Sequence, residues 1–123
     1  MKIRIKGNSV RFRLTKTEVE TFSKTGSYTE VTHFQSKALT YALVAKDGIE
    51  ELEADFVGDT ITIYFPGSEQ KAWAASDRVG FNNSVDWNDS SALSLLVEKD
   101  FTCLDNTIED QSDNYPNPLA AKK

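Results

Sequence analysis

Five cations crowd the first thirteen residues: Lys2, Arg4, Lys6, Arg11 and Arg13. They alternate with Met1, Ile3, Ile5, Val10, Phe12 and Leu14. A strand–turn–strand reading therefore puts the cations on one face and the large apolar side chains on the other. Arginine offers a forked donor that suits phosphate or carboxylate, and lysine adds a point charge. The set is a candidate anion-binding face. The ordinary alternative is a solvated outer sheet face, neutralised in part by carboxylates. A contact with a partner protein is the third reading.

A second set is acidic. Glu51, Glu53 and Asp55 alternate and so project from one strand face. Three carboxylates placed in this way can hold Mg²⁺ or Ca²⁺ through oxygen ligands, whereas a wet sheet face is the commoner use. Cationic and acidic faces in one small domain form the layout of a metal-dependent phosphate-chain hydrolase. Tunnel-type triphosphate hydrolases use that layout. Their alternating N-terminal glutamates are replaced here by Lys2-Ile3-Arg4-Ile5-Lys6, so the comparison is one of layout alone. A divalent metal is expected only under this hydrolase reading, and no other cofactor is expected.

The remaining chemistry is sparse. His33 and Cys103 are the sole histidine and cysteine. Their spacing supports no nucleophilic pair, and structural zinc wants four such ligands. Cys103 is expected to be a small buried strand residue. The stretch from Asp105 to Asp113 lacks the ligand alternation and the glycine of a calcium loop. Trp73 reads as packing. Trp87, in the polar loop NNSVDWNDSS, is the better ligand contact. No Gly-rich phosphate loop or nucleophile elbow is present, and no catalytic residue is assigned.

The elements that must position these groups follow from periodicity. Gly7-Asn8 is a two-residue turn signal. It sets Ile5 against Val10, Ile3 against Phe12 and Met1 against Leu14. The same register sets Arg4 against Arg11 and Lys2 against Arg13, which destabilises a sheet unless that face is solvated, neutralised or used. Thr15-Lys16-Thr17-Glu18 matches a capping box, Leu14 and Val19 a hydrophobic staple, and Gly26 a C-terminal cap. Strands are expected at 27–34, 38–46, 49–57 and 60–65. The last three read as an antiparallel meander turning at Asp47-Gly48 and Gly58-Asp59, with Leu39, Phe56 and Ile61 abreast. A short helix is expected over 68–76, a short strand at 77–81, a polar loop at 82–91 and a long strand at 92–104 with a bulge near Lys99-Asp100. Tyr115-Pro116-Asn117-Pro118 is expected to dock an aromatic ring against a sheet edge.

Bulk properties set the class. A chain of 123 residues suits one domain, expected over 1–118 with a mobile tail at 119–123. Residues 1–24 carry seven Lys/Arg and two Asp/Glu, a net +5; the rest carry seven and seventeen, a net −10. The overall −5 and a pI near 4.8 argue against general nucleic-acid binding. No apolar run reaches a membrane span, and the N-terminus lacks the apolar core of a signal peptide. With one cysteine, these features lead us to expect a cytoplasmic protein without membrane contact.

Several stretches taken together carry a resemblance: MKIRIKGNSVRFRLTKTEV, ITIYFP, SDRVGF, LLVEKDFTCL and DQSDNYPNP. They resemble a family of small bacterial proteins, of Bacteroidetes type, known only as a domain of unknown function. The resemblance spans Met1 to about Pro118. It implies a stand-alone bacterial domain and transfers no activity. It directs attention to Arg4, Arg11, Arg13, Arg78 and the segment Asp113–Pro118.

The sequence thus predicts an α+β domain, mainly antiparallel, with a curled or barrel-like sheet and one short helix after the N-terminal hairpin. Its expected role is non-catalytic binding of a small anionic ligand or a protein partner. Lys2, Arg4, Lys6, Arg11 and Arg13 form the expected site, and Arg78 and Trp87 are further contacts. The alternatives are the phosphate-chain hydrolase, with Glu51, Glu53 and Asp55 as metal ligands, and a protein-interaction module.

Overall fold

Turn chemistry and alternation build the structure, a computed structural model that describes residues 1–86, 92–101, 113 and 115. Strands β1 (Lys2–Ile5) and β2 (Ser9–Leu14) form the N-terminal hairpin in the expected register. Gly7, at φ +54°, supplies the left-handed backbone of its turn. Helix α1 (Lys16–Thr25) follows at once. Thr15 and Glu18 close both halves of the capping box, and Gly26 ends the helix at φ +84°. Strands β3 (Ser27–His33), β4 (Ala38–Lys46), β5 (Glu53–Val57) and β6 (Thr60–Pro66) come next. A four-residue helix α2 (Gly67–Gln70) and a single 3-10 turn (Trp73–Ala75) lead into β7 (Gly80–Val85) and β8 (Leu93–Lys99). None of the described helices is long and apolar enough to cross a membrane.

The strands form two separate four-stranded sheets, ordered β1-β2-β8-β7 and β3-β4-β6-β5. Neither closes into a barrel, which corrects the barrel-like expectation. Each sheet is made of two antiparallel hairpins joined through a central parallel pair, β2 with β8 and β4 with β6. The hairpins of the second sheet lie in sequence between those of the first. The molecule is mostly β, with mixed sheets rather than a purely antiparallel one.

The meander is also corrected. The hairpin of β5 and β6 keeps its register, with Phe56 opposite Ile61 and Ala54 opposite Ile63. Strand β4 instead pairs with β6, placing Tyr41 beside Ile61 and Leu43 beside Ile63. Residues 47–59, β5 included, act as the crossover that a parallel pair requires. The two most apolar strands become central, and the acidic strand goes to the edge, where charge is solvated and blocks further pairing. Leu52 leaves the ladder to enter the core, and its carbonyl accepts a hydrogen bond from Asn83 Nδ2 at 2.9 Å. Further along, β7 begins at Gly80 and takes up part of the expected polar loop, and β8 ends at Lys99.

The inner faces of the two sheets share one core. Phe12, Leu14, Leu95 and Val97 from one sheet meet Leu43, Ile63 and Phe65 from the other, with Val19 and Phe22 of α1 closing one end. Phe65 is the hub of the aromatic packing, with ring centroids 5.1 Å from Phe22, 5.2 Å from Trp73 and 4.5 Å from Phe81. Gln70 caps the last turn of α1 by donating to the carbonyls of Phe22 and Ser23. At the far side of the helix, the Met1 ammonium sits buried between Glu18 and Glu30, 2.6 Å from the latter. Tyr41 Oη donates to the Met1 carbonyl, so this cluster ties the first residue to α1 and to the second sheet.

Burial opposes ionisation of Glu18, but hydrogen bonds from the Met1 ammonium and from Thr15 outweigh it and hold the carboxyl below the usual glutamate range. Glu18 therefore stays charged to lower pH in the folded chain than in the unfolded one. Its contribution is full at neutral pH and is lost as pH falls below about 4.3. Denaturant unfolding between pH 7 and about 3 should show a shallower acid limb for Glu18→Gln than for the wild type. Parallel limbs would contradict this assignment.

Candidate anion-binding face

The outer face of the first sheet gathers the cationic ribbon. Alternation turns Lys2, Arg4, Arg11 and Arg13 away from the core, and Arg4 lies opposite Arg11 and Lys2 opposite Arg13. Left alone, this pairing would be repulsive. The parallel neighbour β8 relieves it. Glu98 stands beside Arg13 in the ladder, and its Oε1 accepts from Arg11 Nε at 2.7 Å and from Arg13 Nε at 2.9 Å. Arg11 Nη2 also closes on the same carboxylate oxygen. Lys2 Nζ lies 3.1 Å from Asp100 Oδ2, just past the end of β8. That carboxylate oxygen is buried and has no well-directed hydrogen bond among the described residues, so its contact with Lys2 is coulombic rather than directional.

Two of the five cations are left over. Arg4 and Lys6 have no ion-pair partner among the described residues. They line a hollow of about 190 Å³ with Arg11, Ser9, Ser94 and Leu96. Ser9 and Ser94 are register partners on β2 and β8, so their hydroxyls stand side by side on the same face as the cations. The hollow thus combines three cationic side chains with two small hydroxyl donors, a donor set that fits a compact oxyanion.

The serines and Glu98 were not among the expected site residues. Ser9 lies in the hairpin, but Ser94 and Glu98 lie eighty or more positions beyond it, and only the parallel pairing brings them in. Gly80 faces Glu98 across β7 and β8. A Cβ on Gly80 would lie 2.6 Å from the Val97 carbonyl oxygen and 2.8 Å from Glu98 Cβ, so the glycine lets β7 close over the residue that neutralises the ribbon.

The other expected residues fall elsewhere. Glu53 and Asp55 sit on the edge strand of the second sheet, and Glu51 precedes that strand. Glu53 pairs with Lys46 at 3.2 Å, and Asp55 Oδ1 accepts from the Phe56 amide. Among the described residues no three His, Cys, Asp or Glu side chains converge as a metal site would require. Arg78 stacks 3.7 Å from the Phe81 ring centroid and donates to the Gly80 carbonyl, so it braces the start of β7. Trp73 is core. His33 is exposed at the end of β3. Trp87 and Cys103, together with the tail at 119–123, lie outside the described residues.

Of the 113–118 segment, Asp113 and Tyr115 are described. Asp113 Oδ1 accepts from the Thr17 amide and hydroxyl at the first turn of α1. Hydrogen bonds from Thr15 and Thr17 hold its carboxyl below the usual range. The Tyr115 amide donates to the Asp100 carbonyl, and its ring lies 5.7 Å from Phe101 and 5.0 Å from Lys99 Nζ, so the aromatic docks on the domain, but at the end of the inner strand β8 rather than against a sheet edge. Lys99 itself is buried and donates to the Ser76 carbonyl at 2.7 Å, and burial pushes its ammonium pKa down.

Glu98→Gln should destabilise the fold by about 1–2 kcal/mol, since it removes charged hydrogen bonds that are partly exposed. Added salt should recover part of the loss by screening the arginines. Gly80→Ala should cost about 1–3 kcal/mol through overpacking against β8. Denaturant midpoints at low and high salt check both.

No curated protein and no solved structure matches the chain. A family model matches residues 1–119, and the chain belongs to that family of unknown function, DUF7009.

Proposed function

We propose that this chain is a non-catalytic binding protein whose cationic face takes a small oxyanion. The observation that carries the reading is the hollow in which Arg4 and Lys6, unpaired among the described residues, stand with Arg11 and the hydroxyls of Ser9 and Ser94. Among the described residues, Glu98 pairs with Arg11 and Arg13 but no carboxylate pairs with Arg4 or Lys6, which leaves positive charge where the donors converge. Phosphate or the end of a phosphate chain offers the acceptor oxygens that such donors match. The hydrolase alternative receives less support. Its acidic residues belong to the other sheet, and one of them is already paired with Lys46. A bacterial, cytoplasmic setting is part of the same proposal, supported by a chain with a single cysteine.

Thermal unfolding with tripolyphosphate, ATP and chloride at matched ionic strength tests the reading. Tripolyphosphate at about 100 times its dissociation constant should add about 2.7 kcal/mol, a rise in Tm of about 10 °C. Arg4→Ala and Lys6→Ala should each lose most of that rise, and Arg78→Ala should keep it. Identical behaviour of all three anions would overturn the proposal. A rise that needs Mg²⁺ and disappears in Glu53→Gln would favour the hydrolase instead.

A further inference from the structure

The end of the molecule away from α1 is open, and its lining has a different chemistry from the cationic face. The inner faces of the two sheets part there to leave a cleft of about 640 Å³. Ile5, Val10 and Leu93 form one wall and Leu39, Ala54 and Phe56 the other. Ile5 is 57% exposed and Phe56 63% exposed, although alternation turns both toward the interior. These side chains belong to the core pattern but are left largely uncovered by the described residues. Large apolar side chains left bare inside a concavity are a mark of a binding site, and the volume falls within the range of small-molecule pockets.

The polar groups at the cleft select the ligand. Its one charged lining residue among those described is Asp55, exposed at the rim on the edge strand. Asn8, at the turn of the first hairpin, also lies on the rim, where its Nδ2 donates to the Ala92 carbonyl at 2.8 Å, leaving its Oδ1 as an acceptor. The rim therefore presents acceptors and negative charge. A second hollow of about 390 Å³ shares Leu39 and Phe56 with the cleft and extends it toward Phe34, which is 63% exposed. The one cation of that hollow, Lys37, is 3.3 Å from Asp59 Oδ1.

We infer that the open end of the two sheets is a second binding site, separate from the anion face, for a small amphiphile with an apolar chain and an uncharged donor or cationic head. The chain lies between Val10, Leu93, Leu39 and Phe56 and removes their exposed surface from water. The head stays at the rim against Asp55 and Asn8. A carboxylate head is disfavoured there by repulsion from Asp55, with no cation among the described lining residues to offset it. The site does not depend on Arg4 or Lys6, so the anion reading and this one stand or fall separately.

The test uses N-phenyl-1-naphthylamine, an uncharged apolar fluorophore that brightens out of water, with the full chain. Saturable brightening at one probe per chain is expected. Decylamine and decanol should displace the probe, with decanoate weaker than decylamine by about tenfold. Phe56→Ser, at an exposed position, and Ala54→Phe, which fills the cleft, should each weaken probe binding, while Arg4→Ala should not. Asp55→Asn should reduce the preference for the amine over the carboxylate. Circular dichroism of each variant confirms that it is folded. Absence of brightening with the wild type, or brightening unchanged in both cleft variants, would overturn the site. Decanoate competing as well as decylamine would overturn the head-group assignment.

Discussion

Repulsion inside the first hairpin is the constraint to which the rest of the first sheet answers. The register that buries Ile3, Phe12 and Leu14 necessarily sets Arg4 against Arg11 and Lys2 against Arg13. A hairpin with these pairs is poorly stable alone. It becomes stable because β8 lies parallel to β2 and brings Glu98 between two of the arginines. One strand from the far end of the sequence thus completes the apolar face with Leu95 and Val97 and neutralises part of the polar face with Glu98. Among the described residues the neutralisation is partial, and the charge left at Arg4 and Lys6 lies where Ser9 and Ser94 provide hydroxyls. Stability and the proposed site share one strand pairing.

The second sheet solves a different problem by the same topology. Its central parallel pair, β4 and β6, holds the apolar side chains that face the first sheet, and its acidic strand is sent to the edge. Because the two hairpins of this sheet are enclosed in sequence by those of the first, the core cannot close until the first and last hairpins meet. The buried Met1 ammonium, held by Glu18 and Glu30, fixes the start of β1 against the helix and the second sheet at one end. At the other end no element among the described residues fills the gap between the sheets, and Ile5 and Phe56 there are exposed.

Local chemistry was well written in the sequence. Gly7-Asn8 fixed one hairpin and Gly58-Asp59 another, each with the residue pairs that parity predicts. Thr15 and Glu18 announced the helix start and Gly26 its end. Inner and outer faces were legible too, because alternation survives any choice of neighbour. Neighbour choice itself was not. Tyr41 and Leu43 face the core equally well beside β5 or beside β6, and a two-residue turn signal at Asp47-Gly48 made the hairpin look preferable. Parallel pairing leaves no local mark, since its partners are joined by long crossovers. The same gap hid Ser94 and Glu98 from the candidate site, whereas the cations, adjacent in one hairpin, could be read directly.

The central claim is that the charge left on this face is a site and not only a solvated surface. Amide chemical shifts during a titration with phosphate, against chloride at matched ionic strength, test it most directly. The account predicts saturable shifts concentrated at Arg4, Lys6, Ser9, Arg11 and Ser94, with Glu53, Asp55 and Arg78 unmoved. Shifts that are small and spread over every exposed cation, or that match those caused by chloride, would contradict it.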